Sequence, residues 1–245
     1  MHTDTERKFK DKLYEQFARI GKSLSNPHRL EILELLAEGE RCVEDIAEIT
    51  GTSIANASQH LGVLRASRMV EIRRIGNNIY YRLADEKVFY LLQSLRALGE
   101  TRFAEIDRIT RDYLKDRTSL RAVTAGELAD ELMNGNVILL DVRPVEEFQE
   151  GHIQGALSMP METIENHLNH LPKNREIVAY CRGPYCVLSD HVVAYLNAQG
   201  YSASRLSDGY PEWKWRGFPV EIEEKGSMHN CKIRHADIRQ EGDMR

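Results

Sequence analysis

The stretch AYCRGPYCVLSDHVVAYL, residues 179–196, carries two thiols, Cys181 and Cys186, on one short loop. The residues before Cys181 read as the end of an apolar strand, Gly183-Pro184 turns the chain, and VLSDHVVAYL has the periodicity of an amphipathic helix. A loop between a parallel strand and the helix after it lies at the carboxyl edge of the sheet, where α/β proteins place their ligands. Backbone N–H groups and the positive end of the helix converge on a cysteine so placed, which lowers its pKa and produces a nucleophilic thiolate. Arg182 adds a cation beside it. Such a thiolate attacks phosphorus or sulfur, and the position of the loop alone leaves both open.

The elements needed to hold that loop follow from the second half of the chain. ELADELM predicts a helix, VILLDV and EIVAYC predict strands, LSDHVVAYLNAQG predicts a helix and SASRL a short strand. Strands alternating with helices imply a parallel α/β sheet. The pattern changes near residues 116–120, and what precedes is different. Apolar residues recur at helical spacing in 7–24 (Phe9, Leu13, Phe17, Ile20), and a second helix follows Pro27. Two short helices are expected over 43–49 and 54–66, with Ser53 as N-cap of the latter. MVEIRRIGNNIYYRL reads as two strands around Gly76-Asn77-Asn78, and one long helix is expected over 86–115. The end of the chain from Gly226 is polar and without period.

A chain of 245 residues with 42% hydrophobic content suffices for two cores. No run is long enough to span a bilayer, and the amino terminus MHTDTERKFKDKLYEQF is charged where a signal peptide is apolar, so a cytoplasmic protein with no membrane partner is expected. Four cysteines (Cys42, Cys181, Cys186, Cys231) do not make a disulfide framework at this length; free and reactive thiols are expected. The net charge of −5 divides unevenly: residues 1–117 carry 20 Lys+Arg against 19 Asp+Glu, and residues 118–245 carry 13 against 19. Within the first half, residues 53–83 hold five arginines (Arg65, Arg68, Arg73, Arg74, Arg82) and one acid, Glu71, a local basic patch of the kind nucleic-acid binders carry.

Helix, Thr-Gly-Thr-Ser turn, helix and basic hairpin is the order of a winged helix-turn-helix. The second helix of such a unit lies in the major groove, and a hairpin with arginines near its tip reaches the adjacent backbone or minor groove. Ser53, Asn56, Ser58, Gln59 and His60 are then expected to face the bases, Arg65 to lie at the end of the same helix, and Arg73, Arg74 and Asn77 to lie on the wing. Ala57, Leu61 and Leu64 pack inward. The competing readings are a small helical domain with a solvated basic face and a protein-interaction version of the same fold.

The segment NPHRLEILELLAEGERCVEDIAEITGTSIANASQHLGVLRASRMVEIRRIGNNIYYRL resembles the ArsR/SmtB family of regulators over roughly residues 10–110, most specifically in SQHLGVLRAS and RIGNNIYYRL. The resemblance implies a homodimer, held by its first and last helices, that binds an inverted-repeat operator in double-stranded DNA and releases it on sensing a ligand. The family's arsenic sensors carry Cys-Val-Cys on the helix before the turn, where this chain has Cys42-Val43-Glu44; its zinc sensors use Asp and His on the last helix, where residues 86–115 hold no His and no Cys. A lone thiolate is a poor soft-metal site, so no metal is expected here. Cys42 is either a small core residue or a redox-active thiol.

VILLDVRPVEEFQEGHIQGALSMP, IVAYCRGPYCVLS and DGYPEWKWRGFPVE, in that order within residues 118–224, resemble a single rhodanese domain. By that likeness Cys181 takes a sulfane sulfur and becomes a persulfide, Asp141 and Arg143 brace the loop, and the Gly151-His152-Ile153 and Trp213 regions are scaffold. The six-residue loop matches sulfurtransferases; the related phosphatases have one residue more, so the resemblance favours sulfur. It departs at Arg182-Gly183-Pro184-Tyr185 and Cys186, where users of thiosulfate carry more positive charge, and a dianion is expected to bind less well. Cys186 either packs away or attacks a persulfide on Cys181, closing an internal disulfide. Neither half calls for a cofactor.

The expected architecture is therefore two domains: a mainly α winged helix-turn-helix with a β-hairpin wing for DNA binding and dimerisation over 1–117, an α/β rhodanese domain with a parallel sheet over 118–225, and a polar tail over 226–245. The expected function is a dimeric repressor whose rhodanese domain senses or processes reactive sulfur, its partners being DNA, a sulfane-sulfur donor and a thiol acceptor. Two alternatives remain: a sulfurtransferase whose winged helix mainly dimerises, and an arsenic-responsive regulator.

Overall fold

A computed structural model describes residues 4–114 and 117–222. The polar tail, Cys231 and Lys115 lie outside the described residues. The chain begins with α1 (Asp4–Leu24) and α2 (Pro27–Glu38). Asn26 fixes the start of α2 by accepting the Arg29 N–H, and Pro27 occupies the first turn, where a missing N–H costs nothing. After β1 (Arg41–Cys42) come α3 (Val43–Ile49) and α4 (Ile54–Ala66), the latter capped by the Ser53 hydroxyl on the Asn56 N–H. The hairpin β2 (Val70–Ile75) and β3 (Asn78–Leu83) turns at Gly76-Asn77, and Gly76 has φ +59°, which a side chain disfavours. Ile32, Leu33, Leu36, Ile46, Leu61 and Leu64 are buried, the apolar faces of α2, α3 and α4.

Two features of this part differ from the sequence expectation. A short strand precedes α3 where none is expected: β1 pairs with β3, setting Cys42 opposite Tyr80 and making the wing three-stranded in the order β1-β3-β2. The single helix expected over 86–115 is instead α5 (Glu86–Arg102) and α6 (Ala104–Tyr113). Phe103 breaks it by taking extended backbone (φ −114°, ψ 101°) while its N–H still bonds the Gly99 carbonyl at 2.8 Å. Uninterrupted helical periodicity in the sequence carries no sign of that break. The contacts divide the described chain within α5, between Val88 and Phe89, so the larger part of α5 groups with the second unit.

The second unit is built on a five-stranded parallel sheet. Its elements run β4 (Ala122–Val123), α7 (Ala125–Met133), β5 (Val137–Asp141), α8 (Val145–Glu150), β6 (His152–Ile153), β7 (Leu157–Ser158), α9 (Ile164–His167), β8 (Glu176–Tyr180), α10 (Val187–Ala198), β9 (Ala203–Leu206), α11 (Tyr210–Trp215) and β10 (Val220–Glu221). The order is β4-β9-β8-β5-β7 with every pair parallel, while β6 and β10 form a separate antiparallel pair. Alternation along β5 and β8 fills two cores. Leu139, Val178 and Tyr180 pack with Leu128, Phe148 and Trp213, while Leu140, Ile177, Ala179 and Cys181 pack with Val192 and Leu196. Cys181 thus enters the loop from a central strand whose last four residues are buried. Among the described residues no helix is long and apolar enough to cross a membrane.

Leu61 has no exposed surface and joins α4 to the core of the first unit. Leu61→Ala is expected to remove about 2–5 kcal/mol of that unit's stability, read as a lowered urea midpoint by circular dichroism.

Candidate functional site

Cys181 follows directly on β8, is 1% exposed, and is joined by a disulfide to Cys186, the residue that caps α10. The Cys186 N–H bonds the Gly183 carbonyl at 3.1 Å, which makes 183–186 a tight turn and brings the second thiol back over the first. Of the two placements open for Cys186, packing away or facing Cys181, this structure has the second. Arg182 does not present an unopposed charge. Its guanidinium forks onto Glu147 of α8, with Nε 3.1 and 3.0 Å from the two carboxylate oxygens. Glu147 is a residue the sequence reading missed, and only the pairing of α8 with the loop identifies it.

Asp141 and Arg143 lie under the loop and are buried together. Arg143 Nε is 3.0 and 3.1 Å from the Asp141 oxygens, its Nη2 is 2.6 Å from Oδ2, and its backbone N–H bonds Oδ1 at 3.0 Å. The same guanidinium donates to the Gly151 carbonyl at 2.7 Å and lies 4.2 Å from the centre of the Tyr210 ring. Burial works against the charge on Arg143, but the hydrogen bonds and charge of Asp141 outweigh it and hold the guanidinium above its usual range. Tyr180 completes the cluster by donating to Asp141 at 2.6 Å and accepting the Ile153 N–H at 3.0 Å. Burial, with the Asp141 charge next, pushes its phenol well above the ordinary value.

The far wall of the loop is α11. The Tyr210 N–H donates to the Cys181 carbonyl at 3.0 Å, and Gly209 lies so close that a Cβ there would fall 2.4–2.5 Å from the backbone of Arg182 and Gly183. Glu212, 3% exposed, receives the Gly209 N–H at 3.0 Å. Gly209, Tyr210 and Glu212 stand in the DGYPEWKW motif, whose order in the sequence signalled a domain but not a contact with the cysteine loop. His152 is buried, stacked on Phe148 at 3.7 Å between ring centres, and bonded to the Phe148 carbonyl at 2.9 Å, a scaffold position. Trp213 is buried and donates to the Pro219 carbonyl at 2.8 Å.

In the first unit, α4 turns Ala57, Leu61 and Leu64 inward and leaves Ser58, Gln59 and Arg65 exposed. Ser53 is exposed but its hydroxyl serves as the helix cap, and Asn56 is half-buried. His60 turns toward α2, where it stacks on His28 at 5.5 Å; burial, then His28 and Arg29, hold its pKa below the usual value. On the wing, Asn77 and Arg74 are exposed, but Arg73 binds Glu40 at 2.8 Å and Arg82 pairs with Glu71 and Glu40. Cys42 is 1% exposed and packs against Tyr80.

A helix-turn-helix with a three-stranded wing, joined to a parallel sheet that ends in a buried cysteine loop, defines a regulator of the winged-helix class fused to a rhodanese-type domain. A model of the bacterial regulatory protein arsR family matches residues 26–71, and one of the rhodanese-like domain matches residues 124–215. Over 209 residues the chain is 42% identical to the HTH-type transcriptional regulator Rv0324 of Mycobacterium tuberculosis, covering 85% of this chain and 92% of that protein. It is 36% identical over 86 residues to a sulfurtransferase of Allochromatium vinosum, covering 35% of this chain and 78% of that one. It also aligns with the solution structure of the homodimeric winged helix-turn-helix DNA-binding domain of a possible ArsR-family regulator from Mycobacterium bovis, at 41% identity and a TM-score of 0.38, over 42% of this chain and 92% of that one. The chain belongs to the ArsR/SmtB family of transcriptional regulators, with a rhodanese domain following the helix-turn-helix.

Two substitutions examine the loop. Asp141→Asn leaves the Arg143 charge buried without its counter-ion and is expected to cost about 3–5 kcal/mol, measured by urea denaturation. Glu147→Gln releases the Arg182 charge toward the loop, and thiosulfate-dependent formation of thiocyanate from cyanide is expected to rise a few-fold above wild type.

Proposed function

We propose that this chain is a DNA-binding repressor that acts as a homodimer and reads reactive sulfur through a persulfide on Cys181. The observation that carries the proposal is the Cys181–Cys186 disulfide at the end of β8, which has a second thiol within bonding reach of the first inside a rhodanese-type loop. In the chemistry proposed, the Cys181 thiolate attacks the terminal sulfur of a persulfide RS–SH. A new S–S bond forms on Cys181, the donor S–S bond breaks, and RS⁻ leaves. Cys186 as thiolate then attacks the Cys181 sulfur, closing the disulfide and expelling HS⁻, so that no outside oxidant is needed. Two thiol equivalents from an acceptor restore the dithiol.

For DNA, we assign residues 1–117 to operator binding and dimerisation and residues 118–225 to sulfur chemistry. Exposure of Ser58, Gln59 and Arg65 on α4, and of Arg74 and Asn77 on the wing, supports contact with a duplex. The outer side of α1 leaves Phe9, Tyr14 and Phe17 more than half exposed, which supports a second copy of the chain against it. The enzyme reading, a sulfurtransferase, is favoured by the same loop and separates from the sensor by turnover. Neutralisation of Arg182 by Glu147 supports a persulfide donor over the thiosulfate dianion.

The test is intact-protein mass spectrometry after glutathione persulfide, with binding measured to a fragment selected from random-sequence DNA by the reduced protein. Wild type is expected to end as the disulfide, Cys186→Ser to hold one added sulfur, and Cys181→Ser to gain none. Cys181→Ser is expected to bind DNA as the reduced wild type does and to keep it when the donor is added. A normal donor response from Cys181→Ser overturns the sensing proposal.

A further inference from the structure

The helix α5 is linked to the cysteine loop in two ways, once through Glu212 and once by direct contact. The first runs through Glu212. This buried carboxylate accepts Gln93 Nε2 at 2.8 Å and Arg96 Nη2 at 2.9 Å from α5 and, on its other oxygen, the N–H of Gly209, whose backbone lies against Arg182-Gly183. The second is direct: the hydroxyl of Tyr185, which stands between the two cysteines, donates to the Glu100 carboxylate, one turn further along α5. A carboxylate made to serve both α5 and Gly209 moves neither partner alone. The scaffold of a rhodanese sheet does not need these contacts, because the buried Asp141–Arg143 cluster already supports the loop from below.

From this we infer that α5 is a working part of the sulfur site: Glu100 and Arg96 are positioning residues that favour the disulfide form of the Cys181–Cys186 loop, and through them the state of the thiols is passed to α5. The inference rests on the proposed sensing role and names the residues that connect it to the DNA-binding half. In the disulfide form Tyr185 reaches Glu100. Opening the disulfide to two thiols, which takes two electrons and two protons from a dithiol reductant, frees 182–185 to move, and the Tyr185–Glu100 bond is the contact that loop movement breaks first. By linkage, whatever the Tyr185–Glu100 bond contributes to the disulfide form, the disulfide contributes in turn to that bond.

The experiment uses the full chain with Tyr185→Phe, Glu100→Ala and the double substitution, all at exposed positions that leave the core intact. Each protein is equilibrated in mixtures of reduced and oxidised dithiothreitol, and the dithiol fraction is counted by alkylation and mass. Each single substitution is expected to make the disulfide easier to reduce by about three- to tenfold in equilibrium constant. The double is expected to match a single and not the product of both, since they remove one bond. The ratio of DNA affinities between dithiol and disulfide forms is expected to move toward one in all three. An unshifted equilibrium, multiplicative effects, or a DNA ratio that stays at the wild-type value in the double variant overturns the inference. Failure of the sensing role itself reads differently: wild type then shows no Cys181-dependent sulfur uptake, or a DNA ratio of one before any substitution.

Discussion

The buried pairing of Asp141 with Arg143 is the interaction on which the second unit depends. Two charges out of water are tolerable only when nearly every donor and acceptor is met, and here the end of β5 supplies the carboxylate, the next residues the guanidinium, β8 a phenol and the turn after α8 a carbonyl. Beyond the Asp141–Arg143 stretch itself, each of these comes from a different segment. The cluster therefore fixes where β5, β8, α8 and α11 stand relative to one another, and Cys181, one residue beyond Tyr180, inherits its position from it. The apolar faces on both sides of the sheet keep water from that cluster and give it its low-dielectric surroundings.

What the loop can do follows from how its charges are spent. A strand-end cysteine with a bare arginine beside it would draw dianions; with Glu147 against Arg182 the loop is closer to neutral, and the nearest reactive group to Cys181 is another sulfur. That balance suits the thiol exchange proposed above, in which the attacking group is another sulfur atom on the same short loop and HS⁻ leaves. The first unit shows the same restraint. Glu40 holds Arg73 and Arg82, and His60 faces α2, so several side chains that composition assigns to a ligand are committed within the protein.

Much of this was legible in the residues. Proline and asparagine placed the start of α2, Ser53 the start of α4, and Gly76-Asn77 the hairpin, because each signal is local and its physics is carried by the residue itself. The strand–loop–helix around Cys181 was equally legible from apolar run, turn and periodicity. The rest depends on pairs distant in sequence. Nothing around Glu147 or Glu212 names its partner, and a two-residue strand such as β1 has no period to detect. The break at Phe103 is also invisible, since an aromatic residue fits the helical pattern on both sides of it. Residue type marks the candidate site residues, whereas their availability depends on acids that only tertiary structure delivers.

Glu40 has a consequence for how this protein meets a polyanion. It is shared by two arginines on adjacent strands of the wing, so a phosphate approaching that surface competes with an internal carboxylate already in place. Among the described residues of 53–83, Arg65, Arg68 and Arg74 stand outside ion pairs. Counterions are displaced from a duplex in proportion to the cations that reach it, so affinity here falls less steeply with ionic strength than five arginines would dictate. A wing of this kind leaves more of the discrimination between sequences to the exposed side of α4, proposed above to meet the duplex, and less to general attraction.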